Sequence, residues 1–527
     1  MIYDAVIIGA GASGLYAAAT LAQMLGDSGR PDAASILLLE KGTKPGTKLL
    51  MAGAGQCNLT HGGPIRDFLS HYSTGESRPR SIPGQNDGEK KTPPTPVQSG
   101  GQNQSPPTPV QSDGQNQSPP VLRQGPPQAA ADRRGEKKAL RTILYRHSNQ
   151  SVMDYFQGIG VPLAAREDGK VFPRSLKSGD VLKALVHACE SRGVEIRRSC
   201  QVNSVIVREE GYLLELSSGA SGASGASGAS GASGASATEN ILAKTVVAAT
   251  GGCSFPSTGS DGGFFSVLEG LGLEITPLRP ALAPIYVSDY PYEELAGISF
   301  APAHVSLWDW ENGQKRLEAK QRKTEAEGRP EGWKKTAERT EDLLIAHRCF
   351  SGPAILHLCR HARRGQRLEI SYLPSMEKGV LAKELKRGAA GNGKTAAAFL
   401  TAFLADQSTG LPKRFLEAAC LRAGADPSEK ASRLSGGQWD ALASLLTRDS
   451  YFISGTGGFQ TAMATAGGVR LSQIDPKTME AFRLPGFYIV GEALDVDGDT
   501  GGYNLQFAFS SAWLAADAIF HKLYQKL

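Results

Sequence analysis

The sequence predicts an α/β protein in which the two ends of the chain build one domain and the middle builds a second, of α+β type. Three observations predict it. The chain opens on an apolar strand that runs through glycines into a helix-period pattern, the order of a β-turn-α unit. Strands that end in glycine and acid return near the C-terminus, in IVGEALD. Between them, over residues 279–449, strand-like pieces are followed by helical ones, a different texture from either end.

Taken in order, YDAVIIGAGASGLYAAATLAQML is strand, turn and helix, and ASILLLEKG is a second strand ending on Glu40. Residues 76–136 turn to Pro, Gln, Ser and Gly, with PPTPVQSGGQNQS followed directly by PPTPVQSDGQNQS. Such a segment has too little apolar surface to offset its chain entropy and is expected to be disordered, a tolerated loop insertion. LYRHSNQSVMDYFQGIGVPL reads as a helix and turn, REDGKVFPRS as a hairpin, and SGDVLKALVHACESRGVEIRR as an amphipathic helix and strand. YLLELSS and ILAKTVVAATGG are two strands joined by six copies of Gly-Ala-Ser over residues 219–236, a hairpin tip grown long as flexible coil. APAHVSLWDW, DLLIAHRCF and RLEISYL are strand-like; KTAAAFLTAFLADQ and PKRFLEAACLRAG are helical. The expected first domain therefore comprises residues 1–75, 137–278 and 450–527, with the insert domain at 279–449.

Composition bounds the function classes. Glycine (62) and proline (30) are concentrated in the two low-complexity tracts, not spread through the fold. No apolar run reaches membrane-spanning length and the first residues lack a signal peptide's basic region, so a cytoplasmic protein with no membrane partner is expected. Seven cysteines, an odd number without CxxC spacing, point to reduced thiols, with no disulfide framework and no metal site. A net charge of +5 permits a polyanionic partner without demanding one.

The chemistry lies in four glycine-rich stretches. Gly9, Gly11 and Gly14 form G-x-G-x-x-G between strand and helix: the first permits the tight turn, the second lets backbone approach a pyrophosphate, and the third lets helix pack on strand. Glu40, ending the next strand, is placed to accept hydrogen bonds from an adenosine ribose. GTKLLMAGAGQCNLTH reads as a loop folding back over a dinucleotide, and VVAATGGCSFPSTGSDGGFF brings strand-end backbone close to a cofactor. The fourth, DVDGDTGGYNLQ, looks at first like a calcium loop. Its sixth position is Thr500, where such a loop needs glycine, and its twelfth is Gln506, where it needs a chelating glutamate. A helix that begins after it has free N–H groups, and a flavin fits that demand, its ring gaining negative charge on reduction at a helix N-terminus. On this reading Asp497 and Asp499 are solvated turn residues.

Together these stretches, with GKVFPRSLKSGDVLKAL, IAHRCFSGPAILHL, TAGGVRLSQIDPKTMEAFRLPGFYIVGEALD and GGYNLQFAFSSAW, resemble the BaiN/RdsA/aminoacetone-oxidase-type (YhiN-like) flavoproteins, FAD-dependent oxidoreductases of bacteria. The resemblance spans nearly the whole chain outside the two low-complexity tracts. It implies a glutathione-reductase-type, Rossmann-like FAD domain with an insert domain. It implies FAD contacts at Gly9, Gly11, Ser13 and Gly14; at Glu40, Lys41, Cys57, Asn58 and Leu59; at Val202, Thr250 and Gly251; and at Gly491, Glu492, Asn504, Leu505 and Gln506. The family's SGGGRCNLTN is altered here: Ala52, Ala54, Gln56 and His61 replace Ser, Gly, Arg and Asn, and Gln56 removes a cation from near the pyrophosphate or substrate.

Cys253 and Tyr503 lie in loops expected near the flavin, where either could hand on a proton or simply pack, and His347 could face substrate from the insert domain. The resemblance implies three chemistries: reduction of uridine to dihydrouridine in large-subunit rRNA, reduction of conjugated double bonds in oxo-bile acids, and oxidation of a small amine. RNA ranks first because Arg360, His361, Arg363, Arg364 and Arg367 could contact phosphates, though the same cluster reads equally as a solvated face. A small-molecule reductase or oxidase is the alternative, and a flavin-binding protein without turnover, motivated by Gln56, is the alternative from another class. No second G-x-G-x-x-G follows a strand, so either NAD(P)H, the candidate electron donor, binds transiently at the flavin or electrons come from elsewhere.

Overall fold

The computed structural model describes residues 2–30, 34–74, 133–218, 237–310, 332–406 and 410–524. The Pro/Gln-rich insertion lies outside the described residues as far as residue 132, and the Gly-Ala-Ser tract lies wholly outside them.

A seven-stranded sheet carries the first domain. Its order is Glu195–Arg197, Ile36–Leu39, Ile2–Ile8, Ala237–Ala248, Gly211–Ser218 and Cys200–Arg208, with Phe487–Ile489 also paired to Ala237–Ala248. The first four strands and Phe487–Ile489 pair in parallel, and Gly211–Ser218 runs antiparallel to both of its neighbours, Ala237–Ala248 and Cys200–Arg208. Uninterrupted apolar runs such as ILLL belong in a sheet covered on both faces, and all four of those side chains are buried. Ala237–Ala248 joins the chain ends: one edge of its C-terminal half pairs with Ile2–Ile8 and the other with Phe487–Ile489. Over this sheet the helix Ala12–Asp27 packs on the last helix, Tyr503–Tyr524, with Tyr16 and Phe509 ring centroids 4.8 Å apart. One hydrophobic core runs from Tyr3 to Leu523.

The second domain is a closed six-stranded barrel: Ile285–Val287, Phe350–Ser351, Trp333–Ile345, Ser299–Trp310, Arg367–Ser371 and Asp449–Thr456. Helices Lys378–Ala389, Ala396–Asp406, Lys413–Arg422 and Gly436–Thr447 pack against it in a separate core. In that core the Asp449 carboxylate accepts hydrogen bonds from the hydroxyls of Tyr292, Tyr372 and Tyr451 and an ion pair from Arg422, so the charge is compensated.

Two antiparallel strands, Ile275–Ala281 and Ala464–Val469, carry the chain into and out of the barrel. At Gly467 (φ +102°) a Cβ would lie 2.5 Å from the Pro277 carbonyl oxygen, so only glycine lets the two strands approach this closely. A buried ion cluster adds a second connection. Arg360, beyond the barrel-domain helix Pro353–Cys359, donates to Asp499 Oδ1 (2.8 Å) and Ser73 Oγ (2.7 Å), and its Nε lies 3.2 Å from Asp497 Oδ2. Burial opposes the charge on Asp499, but a hydrogen bond with His71 and the neighbouring Arg360 hold its carboxyl below the usual carboxylate range.

This corrects two readings of the sequence. Asp497 (0% exposed) and Asp499 (5%) are not solvated turn residues; they neutralise a cation. Arg360 is correspondingly unable to reach an RNA phosphate. Of its basic neighbours, Arg364 is exposed, while Arg367 lies 3.3 Å from Glu369. Removing one partner of a buried charge cluster leaves the others uncompensated. Arg360→Met is therefore expected to lower unfolding free energy by about 3–5 kcal/mol in urea titrations, whereas Arg364→Met changes it by less than about 0.5 kcal/mol. Equal midpoints for the two variants would contradict the cluster's structural role.

Candidate functional site

A cavity of about 850 Å³ runs along the glycine turn and reaches the barrel domain. Its first wall is set by close packing. A Cβ on Gly9 (φ +100°) would fall 2.6 Å from the Ala249 carbonyl oxygen, and one on Gly14 would fall 1.8 Å from the Gly9 oxygen. Both glycines therefore serve strand–strand and helix–strand approach. Gly11 differs: it lines the cavity and a Cβ there would meet nothing within 4 Å, so the space belongs to whatever occupies the cavity. Gly11 is also the N-cap of Ala12–Asp27 and offers no capping side chain, which leaves the helix's first N–H groups directed at an acceptor. Glu40 closes this wall, its two carboxylate oxygens accepting from the N–H groups of Ala10 (3.0 Å) and Gly42 (2.7 Å).

The C-terminal segment supplies the opposite wall. Gly491 (φ +68°) donates its N–H to Ser511 Oγ (3.0 Å) and lies so close to Ser13 that a Cβ would sit 2.7 Å from its hydroxyl. The last helix starts after Gly501 and Gly502, the second pressed against Thr60 backbone. Asn504 holds its own loop, accepting from Gly498 N–H (2.8 Å) and donating to its carbonyl (2.9 Å). Asn504, Leu505, Thr500 and Gly502 all line the cavity.

Beside them stands an ion pair that spacing alone does not reveal. Lys48 Nζ donates to Glu492 Oε2 and Ser254 Oγ, both at 2.5 Å, while Glu492 Oε1 accepts from Ser254 Oγ (2.7 Å) and Thr465 N–H (2.7 Å). Burial opposes charge on Glu492, but the Lys48 cation and these hydrogen bonds outweigh it and hold the carboxyl below its ordinary range. Lys48 and Glu492 both line the cavity.

Of the residues singled out in the sequence, Gly9, Gly11, Ser13, Glu40, Lys41, Asn58, Val202, Thr250, Gly251, Glu492, Asn504 and Leu505 line this one cavity. Gly14, Cys57, Leu59, Gly491 and Gln506 stand behind its walls. Cys57 is fully buried, and burial pushes its thiol up to about 12. The Gln506 amide bonds Thr60, His147 and Ser510. Cys253 and Tyr503 are likewise outside the lining. Burial raises the Cys253 thiol to about 11, and it packs under Gly262; the Tyr503 ring stacks on His71 (4.2 Å) and its hydroxyl rises to about 12. His347 is exposed on a bend, whereas His357, ten residues on, is buried next to the cavity wall. Gln56, where the resemblance expects arginine, accepts a hydrogen bond from Arg166 (2.7 Å), which returns a guanidinium to that loop.

The residues present fit an FAD. A glycine-lined approach and an uncapped helix N-terminus suit a pyrophosphate, Glu40 suits a ribose, and the buried Asn58 Oδ1, without a hydrogen-bond partner among the described residues, offers an acceptor at the cavity wall. Among the described residues no cluster of three or more His, Cys, Asp or Glu could hold a metal ion, and no helix is long and apolar enough to cross a membrane.

The two glycines separate packing from binding. Gly14→Ala overpacks the strand–helix contact and is expected to cost about 1–3 kcal/mol or more in thermal unfolding of the apoprotein. Gly11→Ala leaves that stability within about 0.5 kcal/mol and instead lowers FAD affinity in a fluorescence titration. Glu492→Gln is expected to lower the melting temperature at neutral pH. Because the Glu492 carboxyl is depressed in the folded state, its contribution is present above the unfolded value of 4.5 and disappears as pH falls through the folded value, so the wild-type advantage shrinks on acidification.

The chain is 27% identical over 517 residues to the ribosomal RNA dihydrouridine synthase of Escherichia coli (strain K12), covering 98% of this chain and 97% of that protein. It is 25% identical over 523 residues to the 3-dehydro-bile acid delta(4,6)-reductase of Clostridium scindens, covering 97% and 98%. Among solved structures, the 3-ketosteroid delta1-dehydrogenase of Sterolibacterium denitrificans aligns over 99% of this chain and 100% of that one, at 12% identity and a TM-score of 0.44. The family model described as HI0933-like protein Rossmann domain matches residues 3–82 and 122–518, and the chain belongs to that family.

Proposed function

We propose that the protein is an FAD-dependent oxidoreductase that reduces an electron-poor C=C bond, with a uridine of large-subunit ribosomal RNA as its substrate. One observation carries the reading: a single cavity joins the glycine turn, Glu40 and the start of the last helix to Pro353 and Leu356 of the barrel domain, so one dinucleotide can be held with one end facing the second domain. The full-length likeness to proteins named as a ribosomal RNA dihydrouridine synthase and a bile-acid reductase supports both the redox class and the C=C bond.

Gly9, Gly11 and Ser13 would hold the pyrophosphate, Glu40 the adenosine ribose, and Asn58, Glu492, Asn504 and Leu505 the remainder. When bound, FAD supplies hydride transfer at N5. The protein's own part is to orient and to shield. Phe255, Phe264, Phe265, Leu282 and Leu356 make much of the wall apolar, which excludes water from the transfer, and the free N–H groups of the last helix favour negative charge where that helix begins. NAD(P)H is proposed as the electron donor, entering transiently, since no second dinucleotide turn follows a strand.

The purified protein should be yellow, be bleached anaerobically by NADPH and recover its colour with an unsaturated acceptor. Deleting the gene in its host should remove a dihydrouridine from large-subunit rRNA. A colourless protein that cannot be reconstituted with FAD would overturn the enzyme class; retained dihydrouridine would transfer the reaction to the small conjugated molecules of the second relative.

A further inference from the structure

Where the barrel domain meets the cavity, its helix Pro353–Cys359 places a histidine between a carboxylate and a hydroxyl. His357 Nδ1 lies 2.6 Å from Glu341 Oε2, and Nε2 lies 2.8 Å from Thr500 Oγ1. The tautomer follows from a third contact: the Thr500 backbone N–H donates to Nε2 (3.0 Å), so Nε2 carries a lone pair and Nδ1 carries the proton toward Glu341. His357 is only 5% exposed, yet Thr500 lines the cavity, as do Pro353 and Leu356 of the same helix. A carboxylate–imidazole–hydroxyl line with a buried imidazole, its carboxylate end part-exposed and its hydroxyl end at a cavity wall, is what a proton needs in order to pass from solvent to an enclosed reaction.

We infer that Glu341, His357 and Thr500 form the proton relay of the reduction, Thr500 being the catalytic residue that meets substrate and His357 and Glu341 acting through it. The inference rests on the C=C-reduction reading above. In that reaction one carbon of the substrate double bond receives a hydride, supplied by the reduced flavin. The other takes the proton of the Thr500 hydroxyl. Thr500 Oγ1 recovers a proton from Nε2 of the imidazolium form of His357, and the imidazole regains its own from solvent. Glu341 holds Nδ1–H throughout and stabilises the imidazolium. The tautomer in the structure is the form left after proton delivery, and the same line run backwards would accept a proton from a saturated substrate.

The groups around the imidazole are mixed in sign. Glu341 and Arg339 come from the strand Trp333–Ile345, Arg360 follows its own helix, Asp497 lies in the short strand Val496–Gly498 and Asp499 directly after it, with His71 on Asp499. Neither Cys253 nor Tyr503 touches this line, and neither lines the cavity.

The test uses the FAD-loaded enzyme, reduced anaerobically with dithionite and mixed with 2-cyclohexen-1-one. Thr500→Val keeps the shape and the backbone N–H but removes the relayed proton. It is expected to slow reoxidation about 100-fold or more while FAD content and the visible spectrum stay those of wild type, and Thr500→Ser should restore most of the rate. His357→Gln, which cannot pass a proton to Oγ1 in this way, should slow reoxidation while FAD content stays that of wild type. Independently of turnover, nitrogen NMR of the oxidised enzyme at alkaline pH should show His357 protonated at Nδ1 and bare at Nε2. A Thr500→Val enzyme reoxidised at the wild-type rate, or a His357 protonated at Nε2, overturns the relay. A wild-type enzyme that the enone fails to reoxidise counts against the C=C reading instead, and the imidazole spectrum then decides the relay alone.

Discussion

The site depends on a buried ion cluster, Arg360 with Asp497 and Asp499, that joins the two domains. Burying three charges is costly unless they compensate one another, so the loop carrying the aspartates has little freedom to leave the barrel-domain arginine. That loop leads directly to Thr500, Gly501, Gly502 and the first turn of the last helix. Fixing Arg360 against it sets where that helix begins relative to the barrel, and hence the shape of the cavity between the domains.

The nucleotide-domain side of the cavity is fixed by contact distance. Gly9, Gly14, Gly491 and Gly502 stand where a side chain would collide with backbone or with Ser13, and together they bring the N-terminal turn, the C-terminal turn and the Thr60 strand into one wall. The Lys48–Glu492 pair then adds charge to that wall, cross-linked through Ser254 and Thr465. Each of these four residues comes from a different stretch of chain, so the wall exists only in the folded domain.

Much of this was legible in the sequence, and the rest was hidden for identifiable reasons. Local patterns carried the glycine turn, Glu40, the sheet strands and the return of the chain to its first domain, because strand-turn-helix order and glycine spacing are properties of neighbouring residues. Partnership across the chain is not. Asp497 and Asp499 looked like turn-formers since their cation is more than a hundred residues away, and Arg360 looked like part of a basic surface because helical spacing says nothing of burial. Lys48 sits inside a stretch already marked as cofactor-facing, yet its partners are 206 and 444 positions distant. His357 lay within IAHRCFSGPAILHL beside the more conspicuous His347; only the turn of its helix toward Thr500 distinguishes the two. Cys253 and Tyr503 are reactive types in the expected loops, but neither lines the cavity.

In the proposed function one FAD spans both domains' contributions to a single cavity. A crystal structure of the protein with bound FAD tests it most directly. Adenosine is expected at Glu40, pyrophosphate at Gly11 and Ser13, and the flavin ring beside the start of the last helix with Thr500 within reach. A ring lodged elsewhere, or a cofactor that touches neither Gly11 nor the segment Thr500 to Leu505, would contradict it.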